Sequence, residues 1–214
     1  MKLISEHIDI PVEYMTENVE GEKRHYIEGV FMQAEGKNRN GRVYPKSVLE
    51  AAVEKYVDEQ VKGGRAVGEL DHPEGPMINL NKVSHRIVDL QWEGNDVIGK
   101  ALVLNTHHGK DLKGMLEGGV QLGVSSRGMG SLTRNEGVDV VANDYILNTV
   151  DVVQDPSAHS AFVNGIMESV DWFKGKDGLF HAVRHGEKAE TELKESVDEI
   201  KLRMLRKFLS GQSY

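Results

Sequence analysis

Three kinds of side chain in this sequence stand where they could perform nucleophilic chemistry together: the hydroxyls of Ser125 and Ser126, the imidazole of His72 and the carboxylate of Asp151. Attack by a serine needs a reachable hydroxyl, a base to take its proton, and N–H donors for the oxyanion. Gly123-Val124-Ser125-Ser126-Arg127-Gly128 offers the first and the third. It reads as a strand running into a glycine-rich loop, with small neighbours that admit a substrate and backbone amides able to turn toward it. Arg127 adds charge to such an oxyanion site, with Gly128 beside it. An ordinary serine-rich turn has the same composition, so this segment alone decides nothing.

His72 is the candidate base. It follows the short run Arg65–Leu70 and sits in Asp71-His72-Pro73-Glu74-Gly75-Pro76, a loop because its prolines and glycine cannot continue a strand ladder. Asp71 or Glu69 would orient its imidazole, although a loop histidine is often just a solvated side chain. Asp151 lies among Val150, Val152 and Val153, and strand alternation places it on one face with Tyr145, Leu147 and Val153. A carboxylate on a buried face needs a cationic or hydrogen-bonding partner. A catalytic histidine would serve; a rim position facing solvent is the plainer alternative.

Cysteine is absent, which removes disulfides, thiolate metal sites and a cysteine nucleophile. The rival chemistry is a metal-dependent hydrolase using Asp71, His72 and Glu74 with His107 or His108. Their spacing is not that of a metal-binding helix, and Pro73 forbids a helix interior there. No metal and no cofactor are expected.

The elements that must position these groups are mostly strands. The first 25 residues are polar and aperiodic and read as a poorly ordered arm, with regular pattern starting in the strand Tyr26–Gln33. A helix is expected over about 45–61, from the three- and four-residue recurrence of Val48, Leu49, Ala52, Val53, Tyr56 and Val57. Val83–Trp92 and Val97–Leu104 form a hairpin around Glu93-Gly94-Asn95-Asp96. A short helix over about 109–117 and strands over 120–126 and 145–153 complete a core spanning 1–165. Residues 166–214 read as a charged appendage. Its last stretch, with Leu202, Met204, Leu205, Phe208 and Leu209 among Lys201, Arg203, Arg206 and Lys207, suits an amphipathic helix. Alternating βα units are missing, so the expected class is α+β with a mostly β core flanked by helices.

Composition sets outer limits. With 214 residues, 39% hydrophobic and 28% charged, the chain can bury one core and carry an appendage. A net charge of -8 argues against general nucleic-acid binding. No apolar run approaches the roughly 20 residues needed to span a bilayer, and the start is too weakly apolar for a secretory signal, so a soluble, cytosolic chain with no membrane partner is expected.

Several words of this sequence, taken in order, resemble the prohead proteases of T-even-like tailed phages. They are Tyr26-Ile27-Glu28-Gly29-Val30-Phe31-Met32-Gln33-Ala34-Glu35, Asn38-Arg39-Asn40 with Tyr44-Pro45-Lys46, Gly68-Glu69-Leu70 with His72-Pro73, Gly94-Asn95-Asp96-Val97, Gly123-Val124-Ser125-Ser126-Arg127-Gly128 with Gly130-Ser131-Leu132, and Pro156-Ser157-Ala158. The resemblance runs from about Tyr26 to Val163. It implies a serine endopeptidase of viral capsid maturation, related to herpesvirus assemblins, with a β-barrel-like core. The family's histidine falls on His72 and its nucleophile on the serine pair. Ser125 is favoured as the first of the two, while a looser Ser-x-Gly pattern chooses Ser126. The third member is Asp151, with His159 as the alternative, since assemblins use a second histidine where other relatives use a carboxylate.

Such proteases cut after Glu in a pattern of Leu or Ile, any residue, then Glu. Matches are Ile166-Met167-Glu168 before Ser169, Leu193-Lys194-Glu195 before Ser196, and Ile4-Ser5-Glu6 before His7. Self-cleavage at the first two would remove the appendage. A glutamate-selective pocket needs a cation, and Arg127, Arg42 and Arg39 are the candidates. The resemblance further implies a homo-oligomer inside the procapsid, in the host cytoplasm, acting on scaffolding core and capsid proteins. A non-catalytic procapsid core or scaffold protein is the alternative, and the joint presence of the His-Pro and Ser-Ser-Arg-Gly words argues against it.

Overall fold

A computed structural model of the chain describes residues 1–7, 11–38, 40–73, 75–135 and 137–154, together with the backbone of 170–174 and 180–184. The chain divides into two compact units, Met1–Glu168 and Ser169–Tyr214.

Among its described residues the first unit has eleven strands, β1 (Lys2–His7), β2 (Glu13–Val19), β3 (Glu22–Gln33), β4 (Arg42–Val43), β5 (Val67–Glu69), β6 (Val83–Glu93), β7 (Asp96–Val103), β8 (Gly123–Gly130), β9 (Leu132–Asn135), β10 (Val138–Val141) and β11 (Ile146–Val153), and two α-helices, α1 (Lys46–Tyr56) and α2 (His107–Glu117). One sheet has the order β2-β3-β7-β6-β5, antiparallel throughout. In another, β8 lies between β1 and β11, antiparallel to both. A small third sheet holds β4, β10 and β9. Among the described residues no sheet closes on itself, so the barrel expectation becomes open sheets meeting at their edges. The seam is the end of β5. Leu70 makes a single parallel bridge to Val152, and Asp71, at φ 70, turns the chain before a longer ladder can form.

α1 buries Val48, Leu49, Ala52, Val53 and Tyr56, the stripe expected from its periodicity, and a π-helical turn over Val57–Val61 extends it. α2 starts at Thr106, whose hydroxyl accepts from the Gly109 N–H at 3.0 Å. No helix among the described residues is long and apolar enough to cross a membrane.

The poorly ordered arm expected over residues 1–25 is corrected: β1, β2 and the start of β3 lie there. Leu3 and Ile4 are buried, but so are Ser5 and Glu6, and two buried polar residues erase the alternation by which a strand is recognised. The second unit also departs from expectation, because its described residues form an antiparallel hairpin, β12 (Val170–Lys174) with β13 (Phe180–Arg184). Asp177-Gly178 between two aromatic runs was the available signal. The expected amphipathic helix lies outside the described residues.

Candidate active site

Ser125 is the third residue of β8, a strand buried at every position. The sequence reading ended this strand at Ser126 and began a glycine loop there; instead β8 runs on to Gly130, paired on both sides. Its glycines serve packing. A Cβ on Gly128 would stand 2.5 Å from the Tyr145 ring, so the small residues admit neighbours and do not make a loop.

In the β11–β8 register Asp151 faces Ser125 and Thr149 faces Arg127. Directly opposed residues of an antiparallel pair share a face. Ser125, Arg127 and Asp151 therefore project together, while Ser126 lies on the opposite face, across from Glu6 of β1. Simple alternation put Asp151 with Tyr145 and Leu147. A bulge between Leu147 and Thr149 reverses the phase and turns Asp151 to the serine's side. The extra residue, Asn148, donates from its amide to the Pro76 carbonyl at 3.0 Å.

His72 reaches the same place from the end of β5. The Asp71 N–H donates to the Val152 carbonyl at 2.8 Å, tying the turn to β11. The left-handed backbone there is one that aspartate tolerates better than most residues, and the Asp71 carboxylate accepts from the His72 N–H at 2.8 Å. The imidazole then lies between two partners, with Nδ1 2.9 Å from Asp151 Oδ2 and Nε2 2.5 Å from Ser125 Oγ. A carboxylate only accepts, so Nδ1 carries the proton, and in the neutral ring Nε2 accepts from the serine hydroxyl. Of the three carboxylates the sequence offers as partners of this imidazole, Asp151, Asp71 and Glu69, it is Asp151 that meets the ring.

Asp151 also accepts from the Glu69 N–H at 3.0 Å and from Arg127 Nε at 2.8 Å and Nη2 at 3.2 Å. Burial pushes its carboxyl up, but the His72 hydrogen bond and the Arg127 charge outweigh burial and hold it below the usual aspartate value. The Arg127 side chain is fully buried. It is committed to Asp151, Glu69 and the Gly75 and Met77 carbonyls, which corrects its expected place at an oxyanion or glutamate pocket. His107, a metal ligand in the rival reading, stands on α2 with Nε2 3.8 Å from Asp111. His159, Glu168, Ser169, Glu195 and Ser196 lie outside the described residues, as do Arg39 and Glu74.

Two features were missed in the sequence. His85 is fully buried in β6. Its Nε2 donates to the Val150 carbonyl and its Nδ1 accepts from Ser84, both at 2.9 Å. The inward phase of β6 was the signal. The second is a carboxylate cradle. Glu6, opposite Ser126, accepts from Asn38 Nδ2 at 2.6 Å, Asn40 Nδ2 at 2.8 Å and Arg42 Nη1 at 3.1 Å. Burial raises the Glu6 carboxyl, against the pull of Arg42 and Asn40. Polar residues at every second position, 38, 40 and 42, were the clue.

The sequence matches the family model of the prohead core protein serine protease over residues 9–171. A relative, the prohead core protein protease of Enterobacteria phage T4, is 48% identical over 144 residues, covering 64% of this chain and 67% of its own length. The solved structure of the bacteriophage T4 capsid assembly protease superposes with a TM-score of 0.69 at 40% identity, covering 72% of this chain and 98% of that one.

Proposed function

The chain belongs to the family of prohead core protein serine proteases, and from that premise we propose that it is a serine endopeptidase of capsid maturation with Ser125 as nucleophile, His72 as base and Asp151 as its orienting carboxylate. The observation that carries the reading is the single imidazole set 2.5 Å from one hydroxyl and 2.9 Å from one buried carboxylate. Ser125 Oγ attacks the peptide carbonyl as its proton passes to His72 Nε2. The imidazolium, held by Asp151, then protonates the leaving amine, and water repeats the cycle on the acyl-enzyme. The assemblin kinship rests here on the shared serine and histidine, with a carboxylate where assemblins place a second histidine. Substrates are the scaffolding core and capsid proteins of the procapsid, where the enzyme acts as a homo-oligomer.

Cleavage follows Glu in the pattern Leu or Ile, any residue, Glu, and the chain's own β1 supports this. Ile4-Ser5-Glu6 fits the pattern and lies antiparallel to β8, with Glu6 across from Ser126 and His7 across from Ser125. The two specified positions point into built surroundings. The Glu6 carboxylate is cradled by Asn38, Asn40 and Arg42, and Ile4 is fully buried against the bare backbone of Gly130, where a Cβ would come within 3.4 Å of its Cδ1. Self-processing at Glu6, Glu168 and Glu195 follows. The Glu168–Ser169 bond falls on the boundary between the two units.

Incubation of the full chain and mapping of new amino termini test this. Termini at His7, Ser169 or Ser196 are expected. Ser125→Ala should give none while melting like the parent, and Ser126→Ala should still cut. A cutting Ser125→Ala chain would remove the nucleophile from this position.

A further inference from the structure

Beyond Ser125 on the same face of β8, the Arg127 guanidinium joins three other pieces of chain. It reaches Asp151 of β11 through Nε and Nη2, Glu69 of β5 through Nη2 at 3.0 Å, and the loop after His72 through Nη1, at 2.8 Å from the Gly75 carbonyl and 3.1 Å from that of Met77. Glu69, equally buried, accepts from the Asn79 N–H at 2.9 Å through the oxygen that meets Arg127. Its other oxygen has no hydrogen-bond partner among the described residues.

We infer that Arg127 and Glu69 are a positioning pair: Arg127 holds Asp151 and the His72 loop in place, and Glu69 sets the charge of the buried cluster so that His72 can take up the serine proton. The inference rests on the serine–histidine–aspartate reading. Asp151, Glu69 and Arg127 sum to one negative charge at rest, and the proton arriving on His72 brings the cluster to neutrality. With Arg127 alone balancing Asp151, the same step would create a net positive charge out of reach of solvent and salt. Without Arg127, two uncompensated carboxylates would hold the imidazolium too firmly. The other titratable groups facing the cluster are common to every variant compared below. His85 of β6 is kept neutral by burial, burial likewise keeps the Tyr56 phenol of α1 protonated, and Asp71 stands exposed on the loop.

The test is the pH dependence of fluorophosphonate labelling at Ser125, mapped by peptide, on the full chain after the incubation described above. Glu69→Gln keeps the shape and the acceptor for Arg127 and Asn79 while removing the charge, so its acid limb should move down by about one pH unit. Arg127→Met should move it up by a similar amount. Arg127→Lys keeps the charge but cannot span Asp151, Glu69 and two carbonyls, so its limb should stay near the parent's while the plateau rate falls about 10- to 100-fold. Glu69→Gln carries the test if the Arg127 variants fail to fold. A limb that stays put or moves upward in Glu69→Gln, with wild type labelled at Ser125, overturns the pair and leaves the triad standing. Wild type unlabelled at Ser125 sinks the triad reading itself.

Discussion

At the scale of single residues, the site depends on one buried carboxylate being charged. Asp151 accepts four hydrogen bonds, from His72, from the Glu69 N–H and twice from Arg127, and these hold it ionised despite burial. Its value in the folded chain lies below that of the unfolded chain, so its contribution to stability is present above about pH 4 and is lost as pH falls through the folded-state value. Asp151→Asn should therefore destabilise the protein at neutral pH, by about 3–5 kcal/mol for a broken buried pair, and the deficit should shrink in acid. Urea unfolding of both chains at neutral and acidic pH checks this. A deficit that is constant or grows in acid means that Asp151 is not the charged partner assigned to it. The same substitution offers His72 an amide that can donate to Nδ1 and favour the wrong tautomer, so self-cleavage should slow by about 10³-fold or more.

At the scale of elements, the types of the proposed reacting residues are legible in the sequence and their placement only partly so. His72 in a proline-held loop and Ser125 among glycines stand out because their neighbours are chemically unusual. Asp151 stands out among valines, but the Asn148 bulge, which decides its face, leaves no mark in composition. β1 was hidden by its buried glutamate, and Arg127 looked like a substrate ligand because nothing local shows that Glu69, 58 residues away, shares its burial. The helices and the β6–β7 hairpin were plain, since their signals are periodic and short-ranged. The least visible element is the seam where β5 meets β11. There a Cβ on Gly68 would lie 2.3 Å from both His85 Nε2 and the Val150 carbonyl, so glycine is what lets the two strands close. Gly68→Ala should push β5 off β11 and carry Glu69 and His72 with it. The expected results are a loss of about 2–4 kcal/mol of stability and of nearly all labelling at Ser125, whereas Gly114→Ala on α2, where a Cβ meets nothing within 4 Å, should keep both. Parent-like labelling in folded Gly68→Ala would show that the seam does not set the histidine.

At the scale of the whole chain, the proposed specificity makes β1, which pairs with β8, a competitor of a protein substrate for that strand position. Peptides that add a strand to a sheet gain affinity from the backbone ladder and selectivity from alternate side-chain pockets, and β1 fills both kinds of contact with Ile4 and Glu6. Being tethered, it would occupy the position at an effective concentration in the millimolar range, so the proposed self-cleavage at Glu6 is what would open the position to an intermolecular substrate. Removing β1 also uncovers the β8 edge and the apolar surface under Ile4, which gives the uncut arm a stabilising role. The two effects oppose each other and can be measured separately in chains made inert by Ser125→Ala. A Ser125→Ala chain beginning at His7 should melt below the full-length Ser125→Ala chain. It should nonetheless bind a peptide of the form Ile-x-Glu about 100-fold or more tightly than the full-length chain, in a calorimetric titration. Adding Arg42→Ala to the shortened chain should cancel most of that gain, because the substrate carboxylate then loses the cation that receives Glu6. Equal peptide affinity in the full-length and shortened chains would mean that β1 is a structural strand and that substrates dock elsewhere.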